Sequence, residues 1–238
     1  NTQEGENVRV CAIKGNFDDA QTGVKKIFTT PSVAEKLAEN NMLFSSANSI
    51  NWGRLLPQIV YYISAYCDLV NDGKIELGDK INVVVPTGNF GNILAAYYAK
   101  KMGLPIAKFI CASNENNVLT DFIKTGVYNK NRDFHTTISP SMDILISSNL
   151  ERFLYDLTGC DDKLVSEWMK ELNTNGSYEV SADVKAKMQE MFTAGCCDDA
   201  ETMATIKKCA SEYDYVIDTH TAVAKSVYDK YVAQTGDT

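Results

Sequence analysis

The stretch that most constrains this chain lies between residues 81 and 92, where a short apolar run passes through glycines directly into a helical pattern. Residues 81–85 are rich in β-branched side chains and bounded by Lys80 and Pro86, as expected of a strand buried on both faces in a parallel sheet. Pro86-Thr87-Gly88-Asn89-Phe90-Gly91-Asn92 follows. A helix is then predicted over 92–102, stopped by Gly103 and Pro105, and a second strand over 106–112. Strand, glycine turn, helix and strand form a βαβ unit, which commits this part of the chain to an α/β fold. Gly88 and Gly91 permit positive φ and leave no Cβ in the way, so several backbone N–H groups can converge on one anion at the positive end of the helix. A tight turn whose glycines serve only sterics suits the same residues. Neither GxxxxGK[ST] nor GxGxxG occurs, which points away from NTP and NAD.

Elsewhere the periodicity is mostly helical. Residues 8–13 are a β-prone run ending at Gly15, after which Asp18 or Asp19 is placed to cap a helix to about Phe28. A second helix is predicted over 33–40. From Asn51, the apolar residues Leu55, Leu56, Ile59, Val60 and Ile63 recur at helical spacing, predicting one long helix to about Val70. Residues 118–124 and 150–157 read as helices separated by a polar loop that includes 135–143. Residues 161–212 read as three acidic amphipathic helices, and 215–217 as a short strand feeding a helix after His220. The expected fold class is α/β, a mostly parallel sheet with helices on both faces. One boundary is expected near residues 41–45, dividing 1–44 from 45–238.

At 238 residues, with 45% hydrophobic and 23% charged content, the chain can bury a sizeable core. Its net charge of −8 is spread along the sequence without a block of Lys or Arg, which makes nucleic acid and anionic membrane poor partners. No apolar run approaches bilayer-spanning length, and the first residues are polar and acidic where a signal peptide would be basic and then apolar. A cytoplasmic protein is therefore expected. The seven scattered cysteines read as reduced packing residues, and the Cys196-Cys197 pair lacks the CxxC spacing and nearby His of a metal or redox site. The chain has no starting methionine and opens almost at once into a strand pattern, which reads as a segment of a longer protein.

PTGNFGN, residues 86–92, resembles the glycine-rich strand-to-helix loop of threonine synthases, fold-type II pyridoxal-phosphate (PLP) enzymes. Three further stretches resemble that family in the same order: SSANSINWGRLLPQIVYY from Ser45, TISPSMDILISSNLERF from Thr137, and IDTHTAVA from Ile217, the last with Thr219 where many relatives carry proline. GNFDDAQ from Gly15 matches as well. The resemblance spans nearly the whole chain and weakens only between about 160 and 212. It implies most of the large domain of a tryptophan synthase β-like fold, with residues 1–44 the last β-α elements of the smaller domain and 45–238 the large PLP-binding domain. It also implies a lyase of threonine biosynthesis, in which O-phosphohomoserine loses phosphate and gains water to give threonine.

By the family pattern, Gly88, Asn89, Phe90, Gly91 and Asn92 would hold the phosphate of PLP, and Thr221 would face its pyridine nitrogen. Asn48 and Arg54 would hold the phosphate of the substrate. Arg54 has a physical rationale of its own, a planar fork of donors suited to phosphate, six residues beyond an amide; a solvated helix-surface arginine is the plainer alternative. Ser139, Ser141 and Asp143 are expected to line or support the site. His220 is read as a helix-capping residue without a part in proton transfer, His135 as a surface loop residue, and no metal is expected. The family's catalytic lysine, in a Phe-Lys-Asp context, has no counterpart, because that triplet occurs nowhere in the sequence. The resemblance thus implies a chain that is inactive alone and that self-associates through faces left uncovered. Two other functions fit the same motifs: a PLP-dependent lyase acting on O-phosphothreonine, and a non-enzymatic anion-binding α/β module.

Overall fold

The computed structural model describes residues 5–15 and 17–237, which group into two compact units, Asn1–Ser45 and Ser46–Thr238. In the first unit, α1 (Phe17–Phe28) and α2 (Pro31–Glu39) follow one another, and the ring of Phe28 stacks on that of Phe44 at 4.6 Å. Pro31 opens α2 at a position where its missing N–H has no partner to lose. Of the two aspartates expected to cap α1, Asp19 lies inside the helix, and the side chain of Asp18 lies outside the described residues. The strand predicted over 8–13 does not form. Among the described residues its only ladder contact is a bridge between Gly5 and Val8, and Val8, Val10 and Ile13 are exposed. A β-branched run without a partner strand remains extended coil.

The second unit begins with α3 (Trp52–Leu55), a 3₁₀ turn (Leu56–Gln58) and α4 (Ile59–Asn71). This corrects the single long helix expected there: Pro57, within the turn, has no N–H to continue an α-helical ladder. The chain continues through β1 (Ile81–Pro86), α5 (Gly91–Lys101), β2 (Ile106–Ser113), α6 (Val118–Thr125), β3 (Val127–Asn129) and α7 (Leu150–Leu157). It then forms α8 (Asp162–Asn175), β4 (Ser177–Glu179), α9 (Ala182–Met191), β5 (Phe192–Cys196), α10 (Asp199–Tyr213) and α11 (Thr219–Thr235).

The main sheet has the order β1-β2-β5 and is parallel throughout, with Val83 opposite Phe109 and Phe109 opposite Phe192. Strand alternation sorts its side chains into two cores. Val83, Val85, Phe109, Cys111 and Phe192 pack on one face with α5, α6 and α7. Ile110 and Ala112 pack on the other, under Val223, Ala224 and Val227 of α11. The expected α/β sheet with helices on both faces is therefore observed. Each fully buried aliphatic or aromatic side chain in these layers contributes about 1.5–3 kcal/mol.

Two short strands, β4 and β5, lie where only helices were expected. β4 pairs with β3 in a small antiparallel ribbon, stacking Tyr128 on Tyr178 at 5.3 Å. β5 takes its structure from pairing with β2, and Gly195 is required there because a Cβ would stand 2.9 Å from Val227 Cγ1. Residues 215–217, expected as a strand, are irregular, and Tyr215 and Val216 are exposed. All seven cysteines are free; Cys111, Cys197 and Cys209 are buried, but Cys11, Cys67 and Cys160 are exposed rather than packed. Among the described residues no helix is long and apolar enough to cross a membrane.

Candidate functional site

The carboxyl ends of β1 and β2 and the amino end of α11 carry the candidate residues. After β1, the loop 87–90 turns into α5. Neither Gly88 nor Gly91 has positive φ; the left-handed residue is Phe90, at φ 63° and ψ 5°. That conformation costs a non-glycine residue about 1–2 kcal/mol. The Phe90 ring offsets it by burial to 1% exposure between Phe153 at 5.6 Å and Phe192 at 5.8 Å. The glycines serve close approach instead. A Cβ on Gly88 would stand 2.9 Å from the backbone oxygen of Ser141, and one on Gly91 would stand 2.6 Å from Ser49 Oγ.

The loop's polar side chains are engaged while most of its amides are free. Asn89 Oδ1 accepts the Gly91 N–H at 2.9 Å, and Asn89 Nδ2 donates to Ser49 Oγ at 3.1 Å. Asn92 accepts from the Tyr62 hydroxyl at 2.6 Å and donates to Gln58 Oε1 at 3.0 Å. Burial pushes the Tyr62 phenol up, so it stays a donor. The backbone N–H groups of Gly88, Asn89, Phe90, Asn92 and Ile93 donate to no acceptor among the described residues. Five unpaired donors at a helix amino end are an arrangement suited to a multivalent anion.

The segment 46–54 lies against this loop through Ser49. Asn48 Oδ1 accepts the Ile50 N–H at 3.1 Å and the Ser49 hydroxyl at 3.4 Å, leaving Asn48 Nδ2 without an acceptor among the described residues. Arg54 donates from Nε to Ala47 O at 3.2 Å, and its exposed guanidinium pairs with no carboxylate among the described residues. The segment is itself held by Arg152, which donates to Ser49 O at 2.8 Å, to Ile50 O, and to Asn149 Oδ1 at 2.6 Å.

Beyond β2, buried Asn114 donates to Thr137 Oγ1 at 2.8 Å, Ser139 Oγ at 3.1 Å and Asp143 Oδ1 at 2.7 Å. Thr137 donates its own N–H to Asp143 Oδ2 at 2.9 Å. This network fixes the 137–143 loop that presents Ser141 O to Gly88. His220 joins the same loop to α11: its Nε2 accepts the Ser141 N–H at 3.2 Å, which places the ring proton on Nδ1, 3.2 Å from Asp218 Oδ1. The expected cap role of His220 is corrected here, since Asp218 is the N-cap of α11 and accepts the N–H groups of His220 and Thr221 at 2.8 and 3.2 Å. Thr221 is exposed and gives its hydroxyl proton to Asp218. That bond, opposed by partial burial and reinforced by the two backbone N–H groups, holds the Asp218 carboxyl down at about 2. His135 is exposed in the loop, bonded through its backbone to Asn116.

Sequence reasoning missed Ser49, Asn114, Asn149, Arg152 and Asp218. Ser49, Asn149, Arg152 and Asp218 lie within the stretches that resemble the family without being given a role, and Asp218, two residues before His220, also carries a local signal, an N-cap residue type at a helix start. The others act across long separations; the Asn149–Ser49 bond spans 100 residues.

No protein-family model matches the chain. Human threonine synthase-like 1 is 48% identical over 227 residues, covering 94% of this chain and 31% of that protein. The threonine synthase of Saccharomyces cerevisiae is 39% identical over 249 residues, covering 99% of this chain and 47% of that protein. Among solved structures, PLP-bound threonine synthase from Brucella melitensis matches with a TM-score of 0.80 at 39% identity, over 91% of this chain and 44% of that one. Yeast threonine synthase matches with a TM-score of 0.80 at 39% identity, over 94% of this chain and 44% of that one. This chain thus spans 31% to 47% of the length of the two curated relatives. Sequence identity that runs through nearly all of these residues, on the same fold, places the chain in the threonine synthase family.

Proposed function

We propose that this chain supplies the two phosphate-binding parts of a PLP-dependent threonine synthase, which converts O-phosphohomoserine and water to threonine and phosphate. The observation that carries this is the pair of donor sets joined through Ser49: the amides of Gly88, Asn89, Phe90, Asn92 and Ile93, unpaired among the described residues, and the free donors of Asn48 and Arg54. The first set fits the phosphate of PLP, because the N–H groups of Gly88, Asn89, Phe90, Asn92 and Ile93 lack acceptors among the described residues and gather at a helix amino end. Gly88, Asn89, Phe90, Gly91 and Asn92 would hold that phosphate, the last four flanked by side chains already fixed by the protein. Thr221 would meet the ring nitrogen with a hydroxyl already engaged by Asp218. When bound, PLP supplies an electron sink for the substrate's carbon skeleton.

Asn48 and Arg54 would take the substrate's phosphate, Arg54 through its planar fork and Asn48 through its amide. His220, accepting from Ser141, holds the loop beneath Gly88 and moves no proton in this scheme. Residues 1–44 are assigned to the end of a smaller domain and 45–238 to the large one. Seven free cysteines suit a reducing compartment, the cytoplasm. The exposed outer face of α4, where Val60 and Tyr61 are each 60% exposed, supports self-association of the isolated chain.

With no Phe-Lys-Asp triplet, the chain alone is proposed to lack turnover. Incubation with PLP, borohydride reduction and peptide mapping should give scattered, substoichiometric lysine labelling. Stoichiometric labelling of one lysine together with turnover of O-phosphohomoserine would overturn this. For a full-length enzyme, steady-state rates on O-phosphohomoserine should exceed those on O-phosphothreonine, and the reverse order would replace the substrate.

A further inference from the structure

Arg152 stands on the first turn of α7, outside both donor sets, and its partly buried guanidinium forms no ion pair among the described residues. Its donors go to one side-chain oxygen and two backbone oxygens: Asn149 Oδ1 at 2.6 Å, Ser49 O at 2.8 Å, and Ile50 O. An arginine has five donors and no acceptor, so whatever it faces must present oxygen.

That requirement propagates. With Oδ1 of the fully buried Asn149 turned to Arg152, its Nδ2 donates to Ser49 Oγ at 3.1 Å and to Asn89 O at 3.0 Å. The opposite amide orientation would set Nδ2 against the arginine donors and Oδ1 against a carbonyl. Ser49 Oγ also accepts from Asn89 Nδ2 at 3.1 Å. A hydroxyl that accepts twice still has its own proton to give, and the acceptor in reach is Asn48 Oδ1 at 3.4 Å. Asn48 Oδ1 takes the Ile50 N–H as well, at 3.1 Å. The Asn48 amide is thereby fixed oxygen-inward, and its Nδ2 donors face away from the relay.

We propose that Arg152 is a positioning residue, setting the polarity of an Asn149–Ser49–Asn48 relay so that Asn48 offers amide donors, not its carbonyl oxygen, to an anionic group. The proposal rests on the reading that Asn48 and Arg54 take a phosphate. An Asn48 that loses the Ser49 hydroxyl keeps only the Ile50 N–H to hold its oxygen inward, so its amide turns toward the anion more readily and binding weakens, although Arg152 itself lies outside both donor sets.

The test uses the chain with inorganic phosphate as probe, its affinity read from the side-chain amide signal of Asn48 in ¹H–¹⁵N spectra, below the thermal unfolding of every variant. Arg152→Met removes the fork and keeps an apolar stem; Arg152→Lys keeps the charge; Ser49→Ala removes the relay hydroxyl. R152M and S49A should each weaken phosphate binding about tenfold, the scale of one lost charge-assisted hydrogen bond. The double variant should lose no more than the larger single loss. R152K should recover thermal stability but not affinity. The Asn48 and Asn89 side-chain signals should move in R152M and S49A before phosphate is added. Unmoved signals and unchanged affinity in folded R152M would overturn the relay and leave Arg152 a purely structural residue. If R152M does not fold, R152K and S49A carry the same comparison. Absence of phosphate binding in the unaltered chain, with the amide signals still responding to R152M and S49A, would sustain the relay and sink the phosphate reading.

Discussion

Replacing Gly91 by alanine separates close approach from backbone freedom as the reason for glycine in the loop. A Cβ there would lie 2.6 Å from Ser49 Oγ, 2.9 Å from Ser49 Cβ and 3.1 Å from Asn89 Oδ1. Neither neighbour can swing aside cheaply, since Ser49 is tied to Asn89 and Asn149, and Asn89 Oδ1 carries the Gly91 N–H. Overpacking of this kind costs about 1–3 kcal/mol. Alanine at a φ it can adopt restores about 0.4–1 kcal/mol through the unfolded chain. The net loss of about 1–2 kcal/mol should lower Tm by roughly 2–8 °C for a unit of this size. Thermal unfolding by circular dichroism measures it. Ser49→Gly removes both Ser49 atoms that the new Cβ would meet, so S49G/G91A should lose less than the sum of the single variants. Gly23→Ala, with no atom within 4 Å of its Cβ, is the control and should not lower Tm. A wild-type Tm for G91A, or strict additivity in the double variant, would refute the steric account.

Other changes probe the remaining supports. Phe90→Ala relinquishes a side chain buried to 1% and should cost about 3–5 kcal/mol in urea unfolding; a smaller loss than for an ordinary loop residue would show that the ring does not hold the left-handed turn. Asp218→Ala removes the cap of α11 and should cost about 0.5–2 kcal/mol. Because the Asp218 carboxyl is held down at about 2, below the ordinary carboxylate value near 3.9, its contribution is fully present above about pH 4 and is lost as pH falls toward 2. D218A should therefore flatten stability across that acid range, and an unchanged profile would count against the cap. Sedimentation of the isolated chain should show self-association that Val60→Lys reduces; a monodisperse, highly stable monomer would remove α4 as the contact face.

The βαβ unit could be read in the sequence because its signals are local: a β-branched run, glycine punctuation, and Gly103 with Pro105 after the helix. β5 could not. Phe192-Thr193-Ala194-Gly195-Cys196 has little strand preference of its own and follows a helical pattern without a break, so only pairing with β2 makes it a strand. The loop was located correctly but for the wrong conformational reason, since the left-handed residue is the aromatic one and the glycines accommodate Ser49 and Ser141. Burial of Phe90 against residues from α7 and β5 overrode its local preference. Ser49, Asn149 and Arg152 lie within stretches that resemble the family, but nothing local assigns them a role, and their partnership exists only once distant segments meet.

The Phe90 stack also sets an order of events in folding. β1 and β2 are near neighbours in sequence, whereas pairing β2 with β5 closes a loop of roughly 80 residues, at about 1 kcal/mol more chain entropy. Phe192 arrives with β5 and completes the rings around Phe90 and Phe109, at 5.8 and 4.8 Å. The turn after β1 is thus made before β5 during synthesis and should stay conformationally loose until that downstream strand docks. The proposed anion cradle should therefore mature with the slowest pairing of the sheet, and alterations in β5 should delay that maturation even though no β5 side chain belongs to the cradle.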